Sequence, residues 1–117
     1  MPYVDGFVIA VPKKNMPAYR RMSQKAGKIW KEHGALEYRE CAGDDLNIKF
    51  GLPFPKMMKL KAGETPVFSW IVYKSRAHRD SVNAKVMKDP RLKGSEKSMP
   101  FDIKRMAYGG FKVLVDL

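Results

Sequence analysis

The sequence predicts an α+β fold of the ferredoxin-like kind, in which the elements follow one another in the order β-α-β-β-α-β. Two strand-like segments, YVDGFVIAV at 3–11 and VFSWIVY at 67–73, are each followed at once by apolar residues at helical spacing. A last strand-like segment, MAYGGFKVLV at 106–115, completes the order. A chain of 117 residues fits one domain with a modest core, so residues 1–117 are expected to form a single unit.

The first strand has apolar side chains on both of its faces. Phe7, Ile9 and Val11 alternate with Val8 and Ala10, and apolar residues on both sides indicate burial on both sides. Two helices can cover only one face of so small a sheet. We therefore expect an antiparallel sheet with two helices on one face and a second copy of the chain on the other, which makes a homodimeric α+β barrel.

The first helix is marked by its ends as well as by its spacing. Asn15 is placed to cap its N-terminus, and Gly34 is placed to stop its C-terminus. Gly27 lies in its interior, where glycine costs about 1 kcal/mol relative to alanine unless another group packs closely there. The residues at apolar spacing are Tyr19, Met22, Ala26, Ile29, Trp30 and His33.

A second strand and a long connection follow the first helix. Residues 35–43 alternate as a strand, with Tyr38 and Glu40 on the same side. Residues 44–64 show little regular pattern but contain several large apolar side chains. A connection of that kind is typical of an arm packed on the sheet edge or on a second subunit, or of a lid over a ligand cleft.

The second helix and the last strand carry their own local signals. Ser75 is placed as the helix N-cap, and Asp89 before Pro90 is placed to end the helix. Gly109 and Gly110 lie inside the last strand and indicate either a bulge or a close approach of another group to the backbone.

Charge is unevenly distributed along the chain. There are 23 Lys and Arg against 12 Asp and Glu, and no acid lies between Lys13 and Lys31. Such a field favours anionic partners, although a solvated helix face is the simpler explanation. Nucleic acid is the weaker candidate, because the strand at 67–73 lacks the aromatic pattern of RNA-recognition modules. The residues that would bind an anion or nucleic acid are Arg20, Arg21, Lys25, Lys28 and Lys31.

The expected topology brings polar and aromatic residues together at the end of the sheet where the first helix ends. His33, stabilised as a cation by the helix C-terminus and oriented by Asp5, would act as a catalytic acid or base without a metal. A histidine that only caps the helix is the alternative. The expected ligand-binding residues are Trp70, Glu37 and Tyr73 near this end and Tyr108 at the other.

Residues that metals and common cofactors require are scarce. Cys41 is the only cysteine, and His33 and His78 are the only histidines, without metal-ligand spacing or a nucleotide-binding signature. No cofactor and no metal site are therefore expected. A single cysteine, no signal-peptide pattern and no apolar run long enough for a bilayer together indicate a cytoplasmic protein with no membrane association.

Four separated blocks of the sequence resemble a known family. The blocks are YVDGFVIAVPKKN, KEHGALEYREC, TPVFSWIVYKSRAHRD and MPFDIKRMAYGGF, and together they run along nearly the whole chain. They resemble the YbaA-like family of small bacterial proteins, which is similar to the dimeric α+β-barrel superfamily. The resemblance implies a homodimer in which two sheets face each other. It supplies no catalytic residues, because the function of the family is not established.

Three functional hypotheses follow. The first is a homodimer that binds a small anionic or aromatic molecule, with or without processing it by monooxygenase-like or isomerase-like proton abstraction. The second is a non-enzymatic binder of anions or nucleic acid through the basic face of the first helix. The third is a purely structural or regulatory dimer. Whether the protein is an enzyme is left open by the sequence.

Overall fold

Four strands form one antiparallel sheet in a computed structural model that describes residues 1–94 and 98–117. The order across the sheet is second, third, first, fourth, and every neighbouring pair is antiparallel. The predicted ferredoxin-like α+β fold is therefore confirmed. The strands are β1 (Tyr3–Pro12), β2 (Glu37–Ala42), β3 (Glu64–Tyr73) and β4 (Ala107–Lys112).

The α-helices of the described residues are two longer ones and one short one. They are α1 (Met16–Glu32), α2 (Phe54–Met57) and α3 (Arg76–Met87). The helices α1 and α3 are the two that the sequence predicts, whereas α2 lies within the connection that showed little pattern. Strand β3 starts three residues earlier than expected, and β4 ends before the apolar residues that close the chain.

Strand register assigns each side chain to one face of the sheet. Tyr3 of β1 lies opposite Tyr73 of β3, and Asp5 lies opposite Ile71, so these four share the face that α1 and α3 cover. The other face, which we call the open face, carries the alternate residues of each strand. The open-face residues include Val4, Gly6, Val8, Glu37, Arg39, Cys41, Phe68, Trp70, Val72 and Phe111.

The covered face holds the core. Ile29 of α1 and Val82 and Val86 of α3 pack with Ile71 and Tyr73 of β3, and all five are almost fully buried. A second cluster around Ile9, Val11, Tyr19 and Val67 lies at the other end of the same face. The amphipathic pattern of each helix therefore turns its apolar side toward the sheet.

Helix α1 approaches β2 closely at Gly27. A side-chain carbon at Gly27 would lie 2.7 Å from Cδ1 of Tyr38, which is closer than two carbons can pack. The glycine that is unfavourable in an isolated helix is thus required by the tyrosine ring beside it. The buried stripe of α1 consequently contains small and polar residues, and its members are Tyr19, Ser23, Gly27 and Ile29.

The helix ends follow the local signals in part. Gly34 adopts a φ of +117°, which side chains disfavour, and stops α1 as expected. Ser75 caps α3 by accepting a hydrogen bond from the backbone N–H of His78 at 3.1 Å. Asn15 occupies the N-cap position of α1 without capping it, because its side chain donates to the carbonyl of Pro100 at 3.0 Å instead.

The glycine pair in β4 makes a close approach rather than a bulge. Gly109 and Gly110 pair in continuous register with Gly6 and Asp5 of β1. The ring of Tyr3 lies directly over the Cα of Gly110, where any side chain would collide with it.

Residues 43–63, which we call the arm, connect β2 to β3 and touch the open face. Phe54 of α2 packs edge-on against Phe68, with ring centroids 6.2 Å apart. The arm is therefore packed against the sheet, although several of its apolar side chains stay exposed. The exposed ones are Ile48, Phe50, Leu52, Phe54 and Met57.

Candidate functional site

The structure does not bring His33 to Asp5. Nε2 of His33 lies 2.8 Å from Oδ2 of Asp89, the second residue after α3. Arg91 also binds Asp89, and the hydrogen bonds from Arg91 and then from His33 hold the pKa of the Asp89 carboxyl far below its usual value. The expected orientation of His33 by Asp5 is wrong, because the chain after α3 supplies a nearer carboxylate. A catalytic role for His33 stays a prediction.

Asp5 instead forms part of the core under α3. Its carboxylate accepts a hydrogen bond from Nη1 of Arg79 at 2.7 Å, and the guanidinium of Arg79 lies 5.0 Å from the ring centroid of Tyr3. Tyr73 is fully buried beside them and donates from its hydroxyl to Oδ1 of Asn83 at 3.1 Å. Burial, and to a smaller extent the negative charge of Asp5, raises the pKa of the Tyr73 phenol. Asp5 and Tyr73 are thus enclosed by protein side chains.

Glu37 and Trp70 lie on the opposite side of the sheet. Nε1 of Trp70 donates to Oε1 of Glu37 at 2.8 Å on the open face, and the ring of Trp70 packs against Phe68. Tyr108 is on the covered side at the sheet edge, where it stacks on Phe7 and remains 70% exposed. The four expected ligand-binding residues therefore do not converge on one cleft. Their roles in binding stay predictions.

A groove lies between α1 and the edge strand β2. Its volume is about 1590 Å³. Four of the five basic residues expected to bind anions line it, whereas Lys25 lies outside the groove, in a shallow depression beside it. The cations of the groove, which we call the rim, are Arg20, Arg21, Lys28, Lys31 and Arg39.

The groove has an excess of positively charged side chains. The groove lining contains five cations and three carboxylates, and two of the carboxylates already have partners. Glu32 pairs with Arg91 at 2.7 Å, and Glu37 binds Trp70 and the rim cation Arg39. On the cationic side, Nζ of Lys31 donates to the carbonyl of Leu36 at 2.8 Å. Within residues 1–94 and 98–117, no carboxylate pairs with the remaining rim cations. These are Arg20, Arg21 and Lys28.

Beneath the rim lies a polar cluster that we call the floor: Tyr19, Ser23, Tyr38 and Glu40. The hydroxyl of Tyr19 donates to Oε1 of Glu40 and the hydroxyl of Tyr38 donates to Oε2, both at 2.7 Å. Burial, followed by the negative charge of Glu40, raises the pKa of both phenols far above the usual value. Each tyrosine therefore stays protonated and donates its hydroxyl hydrogen bond to the carboxylate.

Sequence reasoning did not identify the floor. The signal that was available is the alternation in β2, which places Tyr38 and Glu40 on the same side. The third member, Tyr19, was counted as a core position of the helix. Only the packing of α1 against β2 at Gly27 brings its hydroxyl to Glu40.

Two kinds of feature are absent from the part of the chain that the structure describes. No three His, Cys, Asp or Glu side chains there come together in a way that could hold a metal ion. Among the described helices, none combines the length and apolar character needed to cross a bilayer.

The chain is similar to bacterial proteins whose function is not established. The uncharacterized protein YbaA of Escherichia coli K12 and that of Shigella flexneri are each 48% identical over 116 residues, which covers 99% of both chains. The crystal structure of a dimeric ferredoxin-like protein from an uncultured marine organism has a TM-score of 0.61, with 15% identity and full coverage of both chains. The model of a protein family of unknown function, DUF1428, matches residues 2–103. The chain therefore belongs to the DUF1428 family.

Proposed function

We propose that this protein is a cytoplasmic, small-molecule-binding homodimer whose ligand is an organic anion held in the groove between α1 and β2. The observation that carries the proposal is the rim, where Arg20, Arg21 and Lys28 line one concavity without a carboxylate partner among the described residues. Like charges gathered around a concave surface raise the local concentration of an opposite charge. A groove of about 1590 Å³ is large enough for a small organic molecule.

The shape of the surface separates this proposal from a solvated helix face. Exposed lysines on a convex helix contribute solubility without binding anything. Here the cations of α1 line a concave space that the edge strand β2 closes on its other side. Arg39 of that strand also lines the space, but its guanidinium is paired with Glu37.

The homodimer is proposed on the open face. Phe68 is 46% exposed and Phe111 is 61% exposed, and the apolar side chains of the arm adjoin them. The solved neighbour with the same fold is itself described as a dimeric ferredoxin-like protein. A second copy packed on the open face would remove this apolar surface from water.

A pair of charge reversals on one helix tests the groove. We expect Lys28→Glu to weaken the binding of phenyl phosphate by about tenfold or more, because it replaces a contact by a repulsion. Lys25→Glu changes the net charge equally but lies outside the groove, so we expect only a small, salt-screened effect. Isothermal titration calorimetry at two salt concentrations measures both. Equal losses in the two variants, or no binding to the wild type, would contradict the proposed groove.

A second pair of variants tests the dimer. We expect Phe111→Asp to convert a wild-type dimer to a folded monomer in analytical ultracentrifugation. Met87→Asp is the matched control, since Met87 is equally exposed (68%) but belongs to α3, away from the open face. A monomeric wild type would overturn the dimer. Binding of single-stranded RNA by that monomer would assign the exposed Phe68 and the half-buried Trp70 to base stacking instead.

A further inference from the structure

The floor of the groove offers hydrogen-bond acceptors and almost no donors. The hydroxyl of Tyr19 and the hydroxyl of Tyr38 each donate their only proton in a hydrogen bond to Glu40. Glu40 as a carboxylate has no proton of its own, and each of its oxygens retains acceptor capacity beyond the one tyrosine that it binds. The phenol oxygens also keep free lone pairs. A ligand that binds to this floor must therefore supply the hydrogen-bond donor.

Ser23 is the one floor residue whose hydroxyl is not engaged. It is 4% exposed, and its Oγ has no hydrogen-bond partner of good geometry among the described residues. It is nevertheless close enough to the phenol of Tyr19 to affect the ionisation of that group. A buried hydroxyl without a partner costs free energy. Neighbouring atoms cover the Oγ of Ser23, so this atom is not itself a contact for a ligand.

The rim and the floor of the groove thus bind chemically opposite groups. The rim presents only donors and positive charge, through the guanidinium groups of Arg20 and Arg21 and the ammonium of Lys28. The floor presents lone pairs around one negative charge. No purely anionic molecule satisfies both.

We infer that the ligand is an amino-bearing anion, a small molecule whose phosphate or carboxylate binds the rim and whose ammonium group donates to Glu40 on the floor. The inference rests on the proposed function, because it assigns the ligand class of the same groove. An ammonium carries up to three donors, and both carboxylate oxygens of Glu40 keep lone pairs that can accept from it. The raised pKa of both tyrosines preserves this arrangement, since the phenols stay protonated well above neutral pH and leave the floor with its acceptors.

Matched probes separate the contribution of the amine from that of the anion. The probes are ω-aminoalkyl phosphates with two to six methylenes and alkyl phosphates of the same lengths, titrated into the full-length protein by calorimetry. We expect one amino compound to bind about tenfold or more tightly than its alkyl counterpart, because hydrogen bonds to charged groups are the strong ones. The cationic rim repels an ammonium, so such a preference cannot originate there. The ω-amino carboxylates of equal length show which anion the rim prefers.

A pair of charge-neutralising variants assigns the preference to the floor. We expect Glu40→Gln to abolish the preference for the amine while alkyl phosphate still binds. Glu37→Gln removes an equal charge from the groove lining, but Glu37 bonds to Trp70 on the open face, so the preference should persist. Equal affinity of amino and alkyl phosphates for the wild type overturns the inference, and this comparison requires no variant to fold. If alkyl phosphates bind in a Lys28-dependent way without an amine preference, the proposed groove survives and only the ligand class is wrong.

Discussion

The two faces of the sheet are built by different rules. On the covered face, polar groups are paired within the chain: Asp5 with Arg79, Tyr73 with Asn83, and Tyr19 with Glu40. On the open face, large apolar side chains such as Phe68 and Phe111 reach solvent. The chain thus covers one side of its sheet by itself and leaves apolar surface on the other. Breaking a polar pair on the covered face should therefore lower the free energy of unfolding strongly, whereas breaking one on the open face should lower it little.

The largest expected effect contrasts two ion pairs, one on each face. We expect Asp5→Ala to lower the free energy of unfolding by about 3–5 kcal/mol, because it leaves Arg79 without its partner at a largely buried site. The Glu37–Arg39 pair spans 3.4 Å with both side chains well exposed, so Arg39→Ala should cost about 0–1 kcal/mol. Urea denaturation followed by circular dichroism measures both. Similar costs for the two variants would remove the distinction between the faces.

Adjacent residues in β3 provide the next contrast. Ile71 is 3% exposed on the covered face, so Ile71→Ala should cost about 2–5 kcal/mol through lost burial and a cavity. Val72 is only half-buried on the open face, and Val72→Ala should cost less than about 1.5 kcal/mol in the monomer. The comparison uses denaturant unfolding at low protein concentration. A larger loss at Val72 that grows with protein concentration would instead reveal its burial in a dimer.

Two glycines provide the third contrast. An added methyl at Gly27 meets the ring of Tyr38 at 2.7 Å, so we expect Gly27→Ala to destabilise by about 1–3 kcal/mol despite its better helix propensity. Gly109 has open space around the same position, so Gly109→Ala should change stability by less than about 0.5 kcal/mol. The shift in thermal midpoint measures both. A stabilised Gly27→Ala protein would mean that helix propensity outweighs the contact.

The last contrast concerns the tyrosines of the covered side at high pH. Burial raises the pKa of Tyr19, Tyr38 and Tyr73 in the folded state, whereas an unfolded tyrosine titrates near about 10. Their contribution to stability is therefore complete below pH 10 and declines as the pH rises above it, by at most about 1.4 kcal/mol per pH unit for each group. Absorbance at 295 nm should show these three ionising only when the protein unfolds.

The variant Tyr73→Phe isolates one of these groups. It should make the alkaline decline in unfolding free energy shallower than in the wild type, with little change in the slope below pH 10. A reversible ionisation of all five tyrosines near pH 10 in folded protein would contradict the closed character of the covered side.

Sequence reasoning identified the elements but misjudged which side chains meet. It grouped Glu37 and Tyr73 because both lie near the same end of the sheet. Glu37 pairs with Val72, one residue away from Tyr73, and alternation therefore sends the two side chains to opposite faces. Proximity along a strand axis does not determine a shared face. The hydrogen bond between His33 and Asp89 was not predicted either, because no local pattern defined the path of the chain after α3.

What the sequence determined by itself is the fold: two strand-to-helix transitions, a closing strand and apolar alternation are local or periodic properties that each segment carries alone. Helix stops such as Gly34 and caps such as Ser75 belong to the same class. The groove, its rim and the floor around Glu40 were decided only by the tertiary structure. They depend on the distance between α1 and β2, which the contact of Gly27 with Tyr38 sets, and no single segment encodes a distance to another.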